Sequence, residues 1–347
     1  MKSKERIPVT VLTGFLGAGK TTLLNYLLSQ KHGHKCAIII NEFGAISIDN
    51  QLVVGADEEI LELNNGCLCC RVRGDLVRSL GDLLRKQKRF DYVLIETTGI
   101  ADPNPVVHTF KASELAESLR LDGVVTVVDA KHLEKELDDG PEPQAQIAAA
   151  DLIVLNKTDL VSPADLERIE ARIRKMNPLA RMHKTQRSQI DPSKIFDIKA
   201  RELTAPLVVG DTDDHDHDHH HSHGDHEQHH HDHAHGEEHE NDHEHSHQDE
   251  FSSFYLTEDR PLDLQKIEAW LSGIISSMGE RLYRSKGILY IKGQPKRVVF
   301  HGVQTMFEAS PERFWNNGEK RQSQLVFIGR NLDEATIRSG FQNCVIG

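Results

Sequence analysis

The first 205 residues alternate between short apolar runs and amphipathic segments. The apolar runs, such as residues 37–40 and 124–128, consist largely of β-branched and aliphatic residues, which is typical of strands buried on both faces. This order predicts an α/β fold with a doubly wound, mostly parallel sheet that binds ligands at the carboxyl ends of its strands. The predicted strands cover residues 9–13, 36–41, 60–63, 92–96, 123–129 and 152–156, and the predicted helices cover residues 20–30, 75–86, 103–120 and 163–176.

Residues 211–250 interrupt this pattern, because they contain sixteen of the 22 histidines and fifteen of the 54 acidic residues but no Lys or Arg. Such a stretch cannot form an apolar core. We therefore predict a first domain at residues 1–208, a disordered, metal-binding linker at 209–250 and a C-terminal domain at 251–347. Apolar runs at 254–257, 288–292, 297–303 and 324–328, with helical patterns at 263–278 and 333–341, predict a small α+β domain with a mainly antiparallel sheet.

Charge and cysteine usage narrow the class of protein. The net charge of −13 comes from the linker, and the rest of the chain is close to neutral, so nothing indicates a nucleic-acid-binding surface. No run approaches the ~18–20 apolar residues that span a bilayer, and no signal peptide is recognisable. We therefore expect neither nucleic-acid nor membrane partners. Three of the five cysteines fall within residues 67–70, which is typical of metal or redox chemistry in a cytosolic protein.

The strongest motif is GFLGAGKT at residues 14–21, which fits G-x-x-x-x-G-K-[ST] between a predicted strand and a predicted helix. Backbone N–H groups and the helix dipole at such a junction bind phosphates. Lys20 is expected to reach the β- and γ-phosphates, and the Thr21 hydroxyl is expected to bind Mg²⁺. The alternative is a glycine-rich turn without a ligand. The predicted nucleotide-binding residues of this loop are Gly14, Gly17, Ala18, Gly19, Lys20, Thr21 and Thr22.

A second motif, N-K-x-D, follows the predicted strand 152–156 and predicts guanine specificity. Asp159 could accept two hydrogen bonds from N1–H and the exocyclic amine of guanine, which adenine does not offer. Asn156 and Lys157 are expected to support the base and its loop.

Glu96 and Gly99 form a third candidate group after the predicted strand 92–96. An acidic residue at this strand end holds Mg²⁺ and its waters in P-loop enzymes, and the N–H of Gly99 could approach the γ-phosphate. With Lys20 and Thr21, Glu96 is a predicted catalytic residue; the alternative is a surface glutamate. Ile100 stands where Ras-like enzymes carry a water-orienting Gln, so we predict slow intrinsic hydrolysis that a partner or metal accelerates.

The candidate metal ligands are Cys67, Cys69 and Cys70, with Glu42 as a further oxygen ligand. In an extended segment, Cys67 and Cys69 face one side and Cys70 the other, so one ion is expected to take two of the three thiolates. Thiolate with carboxylate or imidazole suits Zn²⁺, with Co²⁺ and Ni²⁺ as further options. The alternative is buried or redox-active cysteine without metal.

The ordered segments GFLGAGKTTLLN, NEFGAISID, ELNNGCLCC, IETTGIADP and NKTD resemble the CobW-type P-loop GTPases. The resemblance runs from residue 8 to about residue 200 and continues into the C-terminal domain through residues 284–287. It implies a GTP-dependent metallochaperone that passes zinc, or cobalt in the cobalamin branch, to a client protein. It also implies a role for Asp49 on the Mg²⁺ side or in sensing the γ-phosphate. Ala45 replaces a carboxylate of the family's pattern, so that residue's metal role does not transfer.

Two other function classes stay open beside a metallochaperone. One is a His-rich metal store, which would depend on residues 211–250 and not on Lys20. The other is a nucleotide-dependent enzyme, such as a kinase acting on a small molecule or an enzyme of cobalamin metabolism, which would act without any metal dependence. The sequence leaves the oligomeric state open, with a homo-oligomer as one option.

Overall fold

The computed structural model describes residues 6–42, 59–64, 71–85, 90–110, 114–198, 251–303 and 306–346. Two sheets organise these residues, one on each side of the histidine-rich stretch. Residues 199–250 are not described, and the predicted linker at 209–250 lies entirely within them. The three-part domain division therefore stays a prediction.

The first sheet has seven strands in the order β3-β2-β4-β1-β5-β6-β7, and all six neighbouring pairs are parallel. Its central strand β1 lies between β4 and β5, so connections run to both sides of it. The predicted doubly wound parallel sheet is confirmed. The strands are β1 (Ile7–Thr13), β2 (Cys36–Glu42), β3 (Glu59–Asn64), β4 (Tyr92–Glu96), β5 (Leu119–Asp129), β6 (Leu152–Asn156) and β7 (Arg181–Lys184).

Helices cover both faces of this sheet, because successive residues of a buried strand point to opposite sides. Ile38 of β2 packs in one core cluster with Leu27 of α1, and the next residue, Ile39, packs in another with Leu80 of α2. Apolar burial on both faces explains why these strands have no polar alternation. The helices are α1 (Lys20–Ser29), α2 (Arg71–Arg85), α3 (Asn104–Thr109), α4 (Leu133–Asp139), α5 (Glu142–Ala149) and α6 (Pro163–Met176).

The predicted helix at residues 103–120 is wrong in its second half. α3 ends at Thr109, a short 3₁₀ turn covers Glu114–Glu117, and β5 already begins at Leu119. Leu119 pairs with Ile7 of β1, so a strand contact distant in sequence overrides the local helical pattern. Three elements of this unit are absent from the prediction: α4, the alanine-rich α5, and the edge strand β7, whose sequence is polar. In the C-terminal unit, the strand Met306–Phe314 is likewise absent from it.

The second sheet is antiparallel throughout its described strands, in the order β11-β10-β9-β12-β8, as predicted. The predicted strand at residues 288–292 is misplaced, because β9 begins six residues earlier. Its first half carries the buried polar residues Arg284 and Ser285, which hide the strand pattern. The elements are β8 (Phe251–Glu258), α7 (Leu264–Met278), β9 (Leu282–Leu289), β10 (Lys296–Val303), β11 (Met306–Phe314), β12 (Ser323–Arg330) and α8 (Glu334–Gln342).

Both faces of the second sheet are covered. Residues of α7 and α8 form the core on one face. On the other face, Ile288 of β9 and Val326 of β12 pack against Ala148 of α5. The C-terminal sheet therefore rests directly on the first unit. Among the described residues, we find no helix with the length and apolar character that crossing a membrane requires.

Arg284 is the polar centre of the contact between the two units. It is 2% exposed, donates from Nη1 to the carbonyl oxygen of Ala149 at 2.7 Å, and forms an ion pair with the buried Asp151. The carboxylate of Asp151 also accepts a hydrogen bond from the N–H of Val124 in β5, at 2.9 Å. A buried charge with this many partners is costly to separate from them.

We predict that Arg284→Ala lowers the free energy of unfolding by about 3–5 kcal/mol, because it leaves the carboxylate of Asp151 buried without its cation. Both tryptophans of the chain, Trp270 and Trp315, belong to the C-terminal unit, so urea unfolding followed by tryptophan fluorescence measures the effect. The matched control is Arg168→Ala, which removes an exposed pair with Asp165 and should cost about 0–1 kcal/mol. Equal losses in the two variants would contradict the prediction.

Candidate nucleotide-binding site

Residues 14–19 form the predicted phosphate loop between β1 and α1, and their backbone requires glycine at three places. Gly14, Gly17 and Gly19 have φ angles of +140°, +76° and +111°, a region that residues with a side chain rarely adopt. A Cβ atom at Gly14 would lie 2.2 Å from the carbonyl oxygen of Val127 in β5. The loop is therefore held close against the sheet, with Leu16 and Gly17 exposed at its tip.

The loop leads directly into the N-terminus of α1. Gly19 is the N-cap residue, and no side chain caps the helix. The N–H groups of the first turn, which contains Thr21 and the exposed Thr22, lack helical acceptors and carry the positive end of the helix dipole. The Lys20 ammonium donates to the carbonyl oxygens of Gly14 at 2.9 Å and Phe15 at 3.2 Å. N–H groups and a cation thus converge where an anion would bind.

The carboxylate of Glu96 lies beside the start of α1. Glu96 is the last residue of β4 and is 5% exposed, and its Oε1 accepts a hydrogen bond from Thr21 Oγ1 at 3.1 Å. A hydroxyl and a carboxylate are oxygen ligands of the kind that Mg²⁺ prefers. The residues present therefore fit a magnesium ion at this position.

The turn after β4, residues 97–101, lies against the phosphate loop. The N–H of Thr97 donates to the carbonyl oxygen of Leu12 at 2.9 Å. A Cβ atom at Gly99 would lie 2.8 Å from the backbone nitrogen of Leu16. Gly99 therefore lies close to the phosphate loop in a place that no larger residue fits, while Ile100 is 39% exposed next to it.

Asn156, at the end of β6, connects the phosphate loop to a loop that the motifs did not indicate. Its Nδ2 donates to the carbonyl oxygen of Ala18 at 2.9 Å, and its Oδ1 accepts from the N–H of Ser188 at 2.8 Å. Ser188 Oγ in turn donates to the carbonyl oxygen of Gly19 at 3.1 Å. Residues 185–188 follow β7, and no sequence pattern places them, because β7 is itself a short polar strand.

Lys157 and Asp159 occupy the turn that follows Asn156. Lys157 has a left-handed backbone (φ 59°), and its Nζ donates to Asp129 Oδ2 at 2.7 Å; the same oxygen lies 2.8 Å from His132 Nδ1. Burial of the Asp129 carboxyl opposes its ionisation, but hydrogen bonds from His132 and Lys157 outweigh this and hold its pKa below the ordinary value. Asp159 is exposed. The contact between Lys157 and Asp129 thus holds the turn in place, while the carboxylate of Asp159 stays accessible to solvent.

A second buried acid, Glu136 of α4, lies in the same region. It is 7% exposed. Burial raises the pKa of its carboxyl to about 7, and the negative charge of Asp129 adds to this, against smaller opposing effects of His132, Lys157 and Lys20. The motifs pointed to neither Asp129 nor Glu136.

Most of the predicted metal ligands fall outside the described residues. Asp49, Cys67, Cys69 and Cys70 are outside the described residues, as are the linker histidines. Glu42 is the last residue of β2, two positions after Ile40, which pairs with Glu96 across the sheet. In the part of the chain that the structure describes, no group of three or more His, Cys, Asp or Glu residues could hold a metal ion. The thiolate site stays a prediction.

Comparison with known proteins covers both units. The family described as CobW/HypB/UreG, nucleotide-binding domain, matches residues 8–184, and the Cobalamin synthesis protein cobW C-terminal domain matches residues 251–345. The chain is similar to the zinc chaperone YjiA of Escherichia coli (strain K12), with 35% identity over 96% of this chain and 98% of that protein. It is also similar to the zinc-regulated GTPase metalloprotein activator 1 of Schizosaccharomyces pombe, with 34% identity over 94% and 83%.

A solved structure supports the same likeness over the whole length. The crystal structure of Zn(II)-bound YjiA GTPase from E. coli aligns with a TM-score of 0.74 and 29% identity, covering 99% of this chain and 100% of that one. Both the parallel sheet and the C-terminal antiparallel sheet are therefore shared with a structure of known fold.

We predict that stability near Glu136 depends on pH in a defined direction. Because the folded-state pKa is about 7 and the ordinary value is 4.5, the buried carboxyl stabilises the fold while protonated and loses that contribution as the pH rises through 7. Relative to Glu136→Gln, the wild-type free energy of unfolding should fall by roughly 1–3 kcal/mol between pH 5 and pH 8. Urea unfolding without nucleotide measures this difference. The control, Asp138→Asn at an exposed position of α4, should show no such trend, and a pH-independent difference for Glu136→Gln would overturn the prediction.

Proposed function

The chain belongs to the CobW/HypB/UreG family of nucleotide-binding proteins, and on that premise we propose that it hydrolyses GTP to control the delivery of zinc to a client metalloprotein. One observation carries the nucleotide part of the proposal: the phosphate loop, the Thr21–Glu96 pair and Asn156 meet at one edge of the sheet. The zinc part is supported by the relatives that are named zinc chaperones or zinc-regulated activators, and by the cysteine cluster.

In this proposal the phosphates bind over the first turn of α1. Lys20 would exchange the carbonyl oxygens of Gly14 and Phe15 for phosphate oxygens, to which its charge is better matched. Thr21 and Glu96 would hold Mg²⁺, which neutralises phosphate charge when it is bound. Gly99 can bring its N–H close to the γ-phosphate because its backbone already lies against the phosphate loop.

Guanine would bind over the turn at residues 156–159. The exposed carboxylate of Asp159 would accept two hydrogen bonds from the base, and Lys157, held by Asp129, would support it through its aliphatic stem. Asn156 sets the distance between the base site and the phosphate loop, because it bonds to both neighbouring loops.

Slow intrinsic hydrolysis is part of the proposal. Ile100 follows Gly99 and offers no group that could orient a water molecule. A switch between GTP and GDP states, accelerated by metal or by the client, suits a protein whose purpose is timed transfer more than rapid turnover.

Zinc is the proposed cargo, held by two of the three thiolates of Cys67, Cys69 and Cys70 with Glu42 as a further ligand; Co²⁺ and Ni²⁺ suit the same donors. Asp49 lies between Glu42 and this cluster in sequence, so a segment ordered by GTP could change the ligand geometry. Thiolate ligands require reduced cysteine, so the proposal includes a cytosolic location.

A metal store remains the main rival and makes a different demand on the chain. It would depend on the histidines of residues 211–250 and would tolerate loss of the phosphate-loop lysine. A nucleotide-dependent enzyme acting on a small acceptor would transfer phosphate without metal dependence. Neither rival accounts for the guanine motif and the thiols together.

We predict that Asp159→Asn lowers GTP affinity by roughly 100-fold or more, because the amide cannot accept both hydrogen bonds from guanine. The new amide should instead donate to the 2-carbonyl of xanthine, so XTP binding should rise. Titration with fluorescent GTP and XTP measures both. The control is Asp165→Asn, which removes a carboxylate from the surface of α6 and should leave both affinities unchanged. Undiminished GTP binding by Asp159→Asn would argue against the proposed base site.

We also predict that zinc affinity differs between nucleotide states. If GTP changes zinc affinity, zinc must change GTP affinity by the same factor, because the two equilibria are linked. Chelator competition on the full-length protein, with GDP or a non-hydrolysable GTP analogue, measures the tightest zinc site. Lys20→Ala should abolish the difference while preserving zinc binding. Identical zinc affinities in the two nucleotide states of the wild-type chain would refute the switch.

A further inference from the structure

Gln146 is a buried amide that no part of the proposed nucleotide site yet uses. It lies in α5 and is 1% exposed. Its Nε2 donates to the carbonyl oxygen of Gly99 at 3.0 Å and to that of Ala101 at 3.1 Å. Both hydrogens of this amide nitrogen are thus donated to the turn that contains Gly99.

These two hydrogen bonds tie the turn to α5. Gly99 and Ala101 follow β4 outside the sheet ladder, and the backbone of Gly99 lies so close to Leu16 that an added Cβ would meet it at 2.8 Å. A small movement of the turn would therefore change the distance between Gly99 and the phosphate loop. Glutamine suits this role because its amide has two donors, whereas an ionised glutamate or a methionine has none.

The backbone of Gln146 is itself held in place. Its carbonyl oxygen accepts a hydrogen bond from Thr126 Oγ1 of β5 at 2.8 Å. At the end of the same helix, Asn177 Nδ2 donates to the carbonyl oxygens of Ile147 at 2.7 Å and Ala150 at 2.9 Å. Because these hydrogen bonds hold the backbone of α5 at both places, they also define the position of the Gln146 side chain.

The same helix is where the C-terminal sheet meets the first unit. Arg284 of β9 donates to the carbonyl oxygen of Ala149 and pairs with Asp151, just beyond the helix. Ala148 packs against Ile288 of β9. The amide that holds the Gly99 turn and the carbonyl that holds the C-terminal sheet are therefore only three positions apart on one helix, at Gln146 and Ala149.

We propose that Gln146 is a positioning residue for GTP hydrolysis, and that α5 couples its position to the C-terminal sheet through Arg284. In this role Gln146 would act through the turn at residues 99–101, which it holds by two hydrogen bonds, and would keep the N–H of Gly99 where it can reach the γ-phosphate. The C-terminal sheet is then part of the hydrolytic arrangement, because its docking sets the position of α5. The inference rests on the proposed GTPase function and deepens it.

The first test replaces the amide and keeps its size. Gln146→Met should lower kcat about tenfold or more, since a displacement of about 1 Å in a catalytic site can cost 100-fold. GDP affinity should stay within about twofold, and the affinity for a non-hydrolysable GTP analogue should fall severalfold relative to GDP. Gln146→Leu also removes both donors and places no charge in this buried position, so it gives the same readout if the methionine variant does not fold.

The control is Gln144→Met on the same helix, where the amide donates to the carbonyl oxygen of Leu137 at 3.2 Å, away from the Gly99 turn. It should leave kcat and both affinities unchanged. A wild-type kcat in the Gln146 variants would overturn the inference, and so would equal losses of affinity for GDP and the analogue, which indicate a general collapse of the site. If the wild-type chain does not hydrolyse GTP, the proposed function fails first, and the two failures are distinguishable.

The coupling to the C-terminal sheet has its own test. Arg284→Lys keeps the charge beside Asp151 but loses the two-pronged contact of the guanidinium group. It should lower kcat severalfold without changing GDP affinity, and the double variant with Gln146→Met should be no slower than Gln146→Met alone. Losses that multiply in the double variant would show that the two residues act independently and would overturn the coupling.

Discussion

The side chain of Asn156 makes the interaction on which the proposed nucleotide site depends. It is buried, donates to the phosphate loop and accepts from the loop after β7, so one amide sets the spacing of two loops that come from opposite ends of the first sheet's sequence. Gly19 belongs to the same constraint, because a Cβ there would lie 2.6 Å from Asn156 Nδ2. Gly19 of the phosphate loop and Asn156 of the N-K-x-D motif therefore pack directly against each other.

Buried polar groups accumulate at the carboxyl edge of the first sheet, where Lys20, Glu96, Asp129 and Asn156 all lie beneath loops. Each would be costly to bury alone, and each has a hydrogen-bond partner in a neighbouring loop, turn or helix. Most of the rest of the sheet is apolar on both faces, apart from the hydrogen-bonded group of Thr10, Tyr92 and Asp122 inside it. The apolar middle of the sheet contributes most of the stability, while the charged groups at its carboxyl edge can interact with a charged ligand.

The C-terminal sheet packs directly against the first unit. Its outer face has its own core with α7 and α8, but its inner face uses α5 as a packing partner, and Arg284 satisfies a carbonyl and a carboxylate of the first unit. A unit held by a buried ion pair of this kind does not move freely. The same short helix carries Gln146, which gives the second sheet a route to the nucleotide site.

The local sequence by itself determined the parallel sheet, the phosphate loop and the identity of the residues at its strand ends, because a buried strand, a glycine turn and a helix start each have a pattern within ten residues. It could not place the loop at residues 185–188, the support of Lys157 by Asp129, or the hold of Gln146 on Gly99. Those contacts join residues far apart in sequence: Asn156 meets Ala18 across 138 positions, and Arg284 meets Asp151 across 133. Only the folded chain brings such pairs together, since a hydrogen bond depends on distance in space and leaves no periodic signal in either partner's neighbourhood.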